Sequence, residues 1–177
     1  IDEAHHLYKP DNERDYGAEA IELLLQVMEN QRDDLILIFA GGKTKIDGFF
    51  NSNPGISSRI GNHIDFPNYE IDDLTDITKF LLNNDNRYKF TDETLKILVH
   101  YIDQLKDFKS FANARTVKVF VNQLLAYQAI RVEKTLMDKG SIDYESLVTI
   151  RPEDFSYFTG DDFINIVGSE NIELYKG

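Results

Sequence analysis

The chain contains no cysteine and no long apolar run, and its basic residues are far outnumbered by acidic ones. Without cysteine, neither a disulfide framework nor a thiolate metal site can form. No apolar run approaches the length of a membrane-spanning helix. Nineteen basic against thirty-one acidic residues give a net charge of -12, which repels a phosphate backbone. We therefore expect neither a membrane nor a nucleic acid among the partners.

What remains is a chain of 177 residues with 42% hydrophobic content, enough to bury one sizeable core and a small second one. It opens with Ile1-Asp2-Glu3-Ala4, without an initiator Met or a targeting leader. We therefore expect the chain to begin inside a structural element and to be part of a longer protein.

The first third of the sequence predicts an α/β arrangement. A polar loop at Lys9 to Asp15 precedes a helix at Gly17 to Gln31, whose apolar residues recur at helical spacing. The continuous apolar run from Leu35 to Ala40 predicts a buried parallel strand beside a strand at Ile1. A second short strand is predicted at His63 to Phe66, stopped by Pro67.

The rest of the sequence predicts helices. From Asp72 onward the apolar residues follow a helical period, and Thr91 has the position of an N-cap. A polar run at 83–86 predicts a loop between helices. Pro152 predicts the start of a short helix, but the remainder of 138–177 has no clear period, and its structure stays open.

Two adjacent carboxylates at the end of a predicted strand carry the first chemical signal. In a Walker B strand, an Asp holds hydrated magnesium and the next residue, a Glu, orients the attacking water. Asp2 and Glu3 have this order. Two neighbouring acids at a chain start are more often a solvated terminus, so the surrounding sequence must decide.

That surrounding sequence resembles the CbbX family of AAA+ ATPases, the red-type Rubisco activases, over about residues 1–135. The similar segments are Ile1 to Gly17 (Walker B and second pore loop), Ala18 to Arg32, Phe39 to Gly41, Ser52 to Ile60, His63 to Pro67, and Phe111 to Arg115. Motifs in this order are far more specific than any one of them. The resemblance implies an α/β remnant of a AAA+ P-loop sheet at 1–68, an all-helical lid at 69–137 and a tail at 138–177.

The resemblance also implies roles for two arginines. Arg59 would be the arginine finger that reaches a neighbouring subunit's γ-phosphate, although a surface ion pair is the alternative. Arg115 would be sensor 2, which contacts the γ-phosphate from the lid of the same subunit, or else a helix-start Arg bonded to nearby carboxylates. ATP and Mg²⁺ are the implied cofactors, with Asp2 holding the metal through water.

The parent protein that the resemblance implies is a hexameric ring of identical or homologous subunits that remodels inhibited red-type Rubisco by acting on its large subunit. The implied location is a plastid of the red-algal lineage, with a bacterial cytoplasm as the alternative. Two other functions stay open. One is a AAA+ remodeller of a different client, similar to stage V sporulation protein K, and the other is a non-catalytic fragment or pseudo-subunit that binds a partner.

The sequence departs from the family at three positions and lacks one motif. Gly42 stands where the family carries a Tyr, which puts the sensor 1 region in doubt. His5 and His6 stand where aromatic residues are more usual, and we expect them to pack rather than to bind metal. No G-x-x-x-x-G-K-[ST] loop occurs: Gly42-Lys43-Thr44 would need a glycine where Leu37 lies. We expect this chain alone to bind ATP poorly.

Overall fold

The computed structural model describes residues 1–8, 16–83 and 87–168. The chain divides into two compact units, Ile1–Pro67 and Asn68–Gly177. The predicted loop at Lys9 to Asp15 lies outside the described residues, as does the predicted interhelical loop apart from Asn83. Among the described residues, none of the helices is both long and apolar enough to span a membrane.

The first unit contains a 3₁₀-helix, Ala4–Leu7, and three α-helices: α1 (Gly17–Asn30), α2 (Lys43–Ser52) and α3 (Pro54–Ser57). The predicted helix at Gly17 is confirmed. The small core of this unit consists of four buried residues, one from α1, two from α2 and one from α3: Ile21, Phe49, Phe50 and Ile56. This core holds α2 and α3 against α1.

The prediction of a buried strand at Leu35 to Ala40 is wrong, and the described residues form no β-strand. Ile36 is 89% exposed and Ile38 is 69% exposed. The segment does lie beside Ile1, because the Ile1 nitrogen donates to Ile38 O at 2.7 Å and the Ala40 N–H donates to Ile1 O at 2.9 Å. These two bonds have the pattern of a parallel pair. One paired residue does not make a ladder, and burial of a parallel strand requires neighbours and covering helices.

The predicted strand at His63 to Phe66 is also wrong. Its residues are exposed, with Ile64 at 78% and Phe66 at 91%. A strand forms only when an adjacent strand pairs with its backbone groups, and no backbone hydrogen bond is made by these four described residues. The apolar pattern alone did not reveal this missing partner.

The second unit is helical, as the sequence predicts after residue 72. Its long helices are α4 (Ile71–Leu82), α5 (Asp92–Lys106) and α6 (Ala114–Lys139), and its short helices are α7 (Tyr144–Val148), α8 (Pro152–Phe155) and α9 (Gly160–Val167). The Thr91 cap is confirmed, because its hydroxyl accepts the Thr94 N–H at 3.2 Å. Helix α8 begins at Pro152 as predicted.

Helices α8 and α9, and the turn that follows α7, share one core with the three long helices. Ile150, Phe155 and Phe163 are buried in the same cluster as residues of α4, α5 and α6. Gly140 ends α6 in the left-handed region, at φ 72°, where a residue without a Cβ is unstrained. The chain can therefore turn back and lay α7, α8 and α9 along the preceding helices.

Candidate functional site

The two carboxylates of the Walker B pattern lie at the start of the 3₁₀-helix. Asp2 Oδ1 accepts the Glu3 N–H at 2.9 Å, and Glu3 itself has φ 46° and ψ 44°, a conformation that is uncommon for a residue with a side chain. The Ala4 N–H donates to Ala40 O at 3.0 Å. The two acids are thus fixed beside the end of the segment from Leu35 to Ala40, called the extended segment below. Both acidic residues are exposed.

The donor set of these acids fits hydrated magnesium. Mg²⁺ prefers oxygen ligands and usually retains several waters. Asp2 uses Oδ1 locally, and within the described part of the chain its Oδ2 makes no hydrogen bond or ion pair. Asp2 could therefore hold the ion through water, and Glu3 is close enough in sequence to act on a water nearby.

His5 and His6 follow on the 3₁₀-helix and contact each other. Their ring centroids lie 4.2 Å apart. His5 Nδ1 lies 3.2 Å from Glu3 Oε2, yet the geometry does not form a hydrogen bond, and this buried nitrogen has no hydrogen-bond partner. Packing of the two rings was expected from the sequence, whereas the close approach to Glu3 was not.

Arg59 lies just after α3 and is held by an acid from α1. Its Nη2 and Nε lie 3.2 and 3.3 Å from Glu29 Oε2, and its Nη1 donates to Gly55 O at 3.0 Å. Both side chains of the pair are partly exposed, at 38% for Arg59 and 63% for Glu29. In this structure Arg59 therefore makes the surface ion pair that the sequence left as the alternative, and such a pair contributes little to stability.

A surface cleft of about 440 Å³ adjoins this arginine. It is lined by the end of α1, the start of the extended segment, and residues 58–62. Asp2 and Glu3 do not line it. The structure thus brings Asp2 and Glu3 together but places Arg59 at a different surface of the same unit.

Arg115, the second residue of α6, belongs to the second unit and is exposed. In the described ranges its guanidinium makes no hydrogen bond or ion pair. The alternative prediction, in which Arg115 bonds to nearby carboxylates, is therefore not observed among these residues. Asn113 immediately precedes the helix with φ 52°. Its side chain accepts the Tyr69 N–H at 3.0 Å and donates to Asn68 Oδ1 at 2.9 Å, which fixes the backbone that presents Arg115.

The Gly42-Lys43-Thr44 segment begins α2. Lys43 Nζ lies 2.6 Å from Asp65 Oδ2, and this hydrogen bond raises the pKa of Lys43 above its usual value. Leu37 lies in the extended segment, where no glycine-rich nest is possible. The structure gives this lysine an acidic partner within its own unit, which is consistent with rejecting a Walker A loop here.

Two residues that support the candidate site were missed by the sequence analysis. Glu29 lies 30 positions before Arg59, and no motif links the two. Asn113 falls inside the quoted segment Phe111 to Arg115, but its positive φ and its contacts with the chain at 68–69 are visible only in three dimensions. An Asn directly before a helix-start arginine was the one available signal, since Asn tolerates positive φ better than most residues.

The model of the AAA lid domain matches residues 70–162, which is more than half of the chain. The chain is 51% identical over 156 residues to a protein CfxQ homolog of Guillardia theta, covering 87% of this chain and 52% of that protein. It is 50% identical over 154 residues to the chloroplastic ribulose bisphosphate carboxylase/oxygenase activase of Cyanidioschyzon merolae, covering 87% of this chain and 52% of the relative.

A bacterial relative shows similar likeness. The chromosomal protein CbxX of Cupriavidus necator is 46% identical over 155 residues, covering 87% of this chain and 48% of that protein. The chain thus spans about half the length of the curated relatives it matches. Together with the lid match, these likenesses show that the chain belongs to the CbxX/CfxQ family of AAA+ proteins, the homologues of red-type Rubisco activases.

Proposed function

We propose that this chain is part of a ring-forming AAA+ ATPase that couples ATP hydrolysis to the remodelling of inhibited red-type Rubisco. The observation that carries the proposal is the 50% identity to a protein named as a chloroplastic Rubisco activase. The client would be the Rubisco large subunit, and the other partners would be identical or homologous subunits. The plastid is the proposed location, with a bacterial cytoplasm as the alternative because a bacterial relative is 46% identical.

In this proposal residues 1–68 are the last part of a AAA+ α/β subdomain, 69–137 are the lid, and 138–177 are a tail that adds to it. The pairing of Ile1 with the extended segment supports a parallel arrangement at this place. The exposed apolar residues Ile36 and Ile38 have the character of strand residues that other strands and helices would cover. A Walker A loop would belong to the part of the relatives that this chain does not match.

Each candidate residue has a chemical task in the complete ATPase. Asp2 would hold Mg²⁺ through water, and Glu3 would orient and polarise the attacking water. When bound, Mg²⁺ offsets negative charge on the β- and γ-phosphates. Arg115, exposed at the start of α6, would contact the γ-phosphate from the lid.

Arg59 would act across a subunit boundary, because a guanidinium at an exposed loop can reach a neighbour's γ-phosphate. Its pairing with Glu29 is compatible with this task. An exposed ion pair is worth about 0–1 kcal/mol, whereas an arginine finger contributes about 10³- to 10⁵-fold in rate. Arg59 therefore loses little free energy when it leaves the Glu29 carboxylate for a neighbour's γ-phosphate.

The proposal is tested in the complete gene product by Glu3→Gln. The amide preserves the shape of the side chain but is a poor acceptor for a proton, so hydrolysis should fall by about 10²- to 10⁴-fold while nucleotide binding is largely retained. Both are measured on the same preparation, hydrolysis by phosphate release and binding by fluorescent nucleotide. Loss of binding in parallel with hydrolysis would show that Glu3 is structural.

Reactivation of inhibited Rubisco then identifies the client. The wild-type protein with ATP should restore carboxylation to inhibited red-type Rubisco, and Glu3→Gln should not. ATP hydrolysis without reactivation would favour a AAA+ remodeller of another client. Absence of both, in a gene product without a Walker A loop, would favour a non-catalytic subunit.

A further inference from the structure

The 3₁₀-helix at Ala4–Leu7 gathers three metal-ligating side chains at one point. One carboxylate oxygen of Glu3 and one ring nitrogen each of His5 and His6 all lie within 4.8 Å of one another. A 3₁₀-helix has three residues per turn, so side chains at i and i+3 lie on the same side. The Glu3 carbonyl accepts the His6 N–H at 2.9 Å, which puts these two residues one turn apart.

His5 supplies an independent reason to expect a ligand. Its Nδ1 is buried and has no hydrogen-bond partner, although buried polar atoms in proteins nearly always have one. Glu3 Oε2 lies 3.2 Å away and does not form a hydrogen bond with it. An unpartnered ring nitrogen and a carboxylate oxygen thus lie 3.2 Å apart.

The chemistry of these donors selects the ion. Imidazole nitrogens suit zinc and its transition-metal neighbours, whereas magnesium and calcium prefer oxygen ligands throughout. Two histidines and one glutamate form one of the ligand sets found at three-ligand zinc sites, which leave a further position for water. The set contains no cysteine, in keeping with a chain that has none.

We propose that Glu3, His5 and His6 form a binding site for a divalent transition-metal ion of the zinc type. The site is separate from the hydrated magnesium assigned to Asp2, since its donors are mainly nitrogen. It revises the sequence-based expectation that the two histidines only pack.

Occupation of this site would also regulate hydrolysis, a consequence that rests on the proposed function. Glu3 cannot ligate a metal and orient the attacking water with the same oxygen. Zinc binding would therefore withdraw Glu3 from the water and inhibit the ATPase. Removal of the ion by a chelator would restore it.

Binding is tested on this 177-residue chain, with any histidine tag removed and metals stripped by a chelator. Zinc is titrated in competition with a chromophoric zinc indicator. The wild-type chain should bind one equivalent, and excess Mg²⁺ should not displace it. His6→Gln is the main variant because His6 is exposed and its loss should leave the fold intact, and Glu3→Gln is the second. Each should weaken zinc affinity by about tenfold or more.

The matched controls are His63→Gln and His100→Gln, which replace the other two of the four histidines. Both controls should bind zinc as the wild type does, and circular dichroism should give equal helix content for all variants. Equal zinc affinity of the wild type and His6→Gln would overturn the site. So would zinc binding that is lost in His63→Gln or His100→Gln, because the ligands would then lie elsewhere.

Inhibition is a separate measurement on the complete gene product. Zinc should lower ATP hydrolysis by the wild type and by His63→Gln, and a chelator should reverse the effect. The rate of His6→Gln, whatever its level, should be insensitive to the same zinc concentration. Zinc binding without inhibition would retain the site and reject its regulatory role. If no ATPase activity exists, the proposed function fails while the binding result still decides the site.

Discussion

At the scale of single residues, two adjacent glycines at the start of α2 differ sharply in what surrounds them. A Cβ added to Gly41 would lie 2.9 Å from Ile46 Cγ1 and 3.5 Å from His5 Nδ1. A Cβ added to Gly42 would meet no atom within 4 Å. Gly41 is therefore required by a close approach, whereas Gly42 has space for a Cβ.

This contrast predicts different effects of the same substitution. Gly41→Ser should destabilise the first unit by about 1–3 kcal/mol, because the added atoms force Ile46 to move. Gly42→Ser should change stability by no more than about 0.5 kcal/mol, and Ser is a good N-cap for α2. Urea unfolding of both variants measures this. Equal destabilisation by the two would contradict the packing described here.

The buried ion pair of the second unit is the other residue-scale feature. Asp154 is fully buried, and its Oδ1 and Oδ2 lie 2.5 and 3.2 Å from Arg131 Nε and Nη2. Arg131 Nη2 also donates to Thr149 O at 2.8 Å, and Asp154 Oδ2 accepts the Arg151 N–H at 2.8 Å. The pair thus ties α8 and its preceding turn to the middle of α6.

Removal of one partner should be costly because it leaves a charge buried and uncompensated. Arg131→Met should lower the free energy of unfolding by about 3–5 kcal/mol. Adding Asp154→Asn to the same protein removes that charge and should recover part of the loss. Denaturant unfolding of the single and double variants gives both numbers. A single-variant cost below about 1 kcal/mol would mean that water reaches the carboxylate.

At the scale of elements, the apolar period of the sequence predicted the longer helices, but it did not predict the helices that are too short to show a period. α1 and the long helices α4, α5 and α6 were predicted, and so was the Thr91 cap. The short helices α7 and α9 have five and eight residues, too few for a clear apolar period. Phe163 of α9 is buried in the core shared with the long helices. Helix α7 is held instead by Gln128 of α6, whose Nε2 donates to Leu147 O, and by its Asp143 cap.

The two strand predictions failed for a different reason. An apolar run reports that a segment favours burial, but not that a partner lies alongside it. Among the described residues, Leu35 to Ala40 pairs with Ile1 and bonds Ala4 through Ala40 O, which is too short a contact for a strand, and His63 to Phe66 has no backbone partner. The same limit applies to the candidate site: motif order proposes Asp2, Glu3, Arg59 and Arg115, whereas Glu29 became evident only from its contact with Arg59.

The start of α9 gives a prediction about pH. Burial raises the pKa of Asp162, but hydrogen bonds from Tyr127 Oη and from the hydroxyl and N–H of Thr159 outweigh it and hold the pKa below its usual value. A depressed folded-state pKa stabilises the protein fully above the unfolded value of about 3.9. That contribution is lost as the pH falls through the lower folded value.

In Asp162→Asn, the free energy of unfolding should therefore fall less steeply as the pH is lowered than it does in the wild type. Asp161→Asn is the matched control on the same helix turn. Asp161 is exposed and makes none of these hydrogen bonds. The free energy of unfolding is measured by urea titration from pH 6 downward for both variants. Identical pH profiles for Asp162→Asn and the wild type would show that the hydrogen bonds to Asp162 do not couple its protonation to folding.

At the scale of the whole molecule, the chain consists of a helical unit of the AAA lid type and a smaller unit that carries Asp2, Glu3 and Arg59. The net charge of -12 opposes nucleic-acid binding and leaves a protein client as the proposed target. Arg59 lies at a cleft that Asp2 and Glu3 do not line, as expected if each completes a site with a different neighbour. We therefore propose that Glu3 and Arg59 act on the same nucleotide only when they come from adjacent subunits.

The most direct measurement mixes two inactive variants of the complete gene product in one ring. Arg59→Ala should lower hydrolysis by about 10³- to 10⁵-fold with a much smaller effect on nucleotide affinity, and Glu3→Gln should be similarly inactive. In mixed rings, verified as mixed by native mass spectrometry, some interfaces pair an intact Glu3 with a neighbour's intact Arg59. The account predicts that such rings regain ATP hydrolysis. Mixed rings as inactive as either parent would contradict it, and Arg59 would then be only the partner of Glu29.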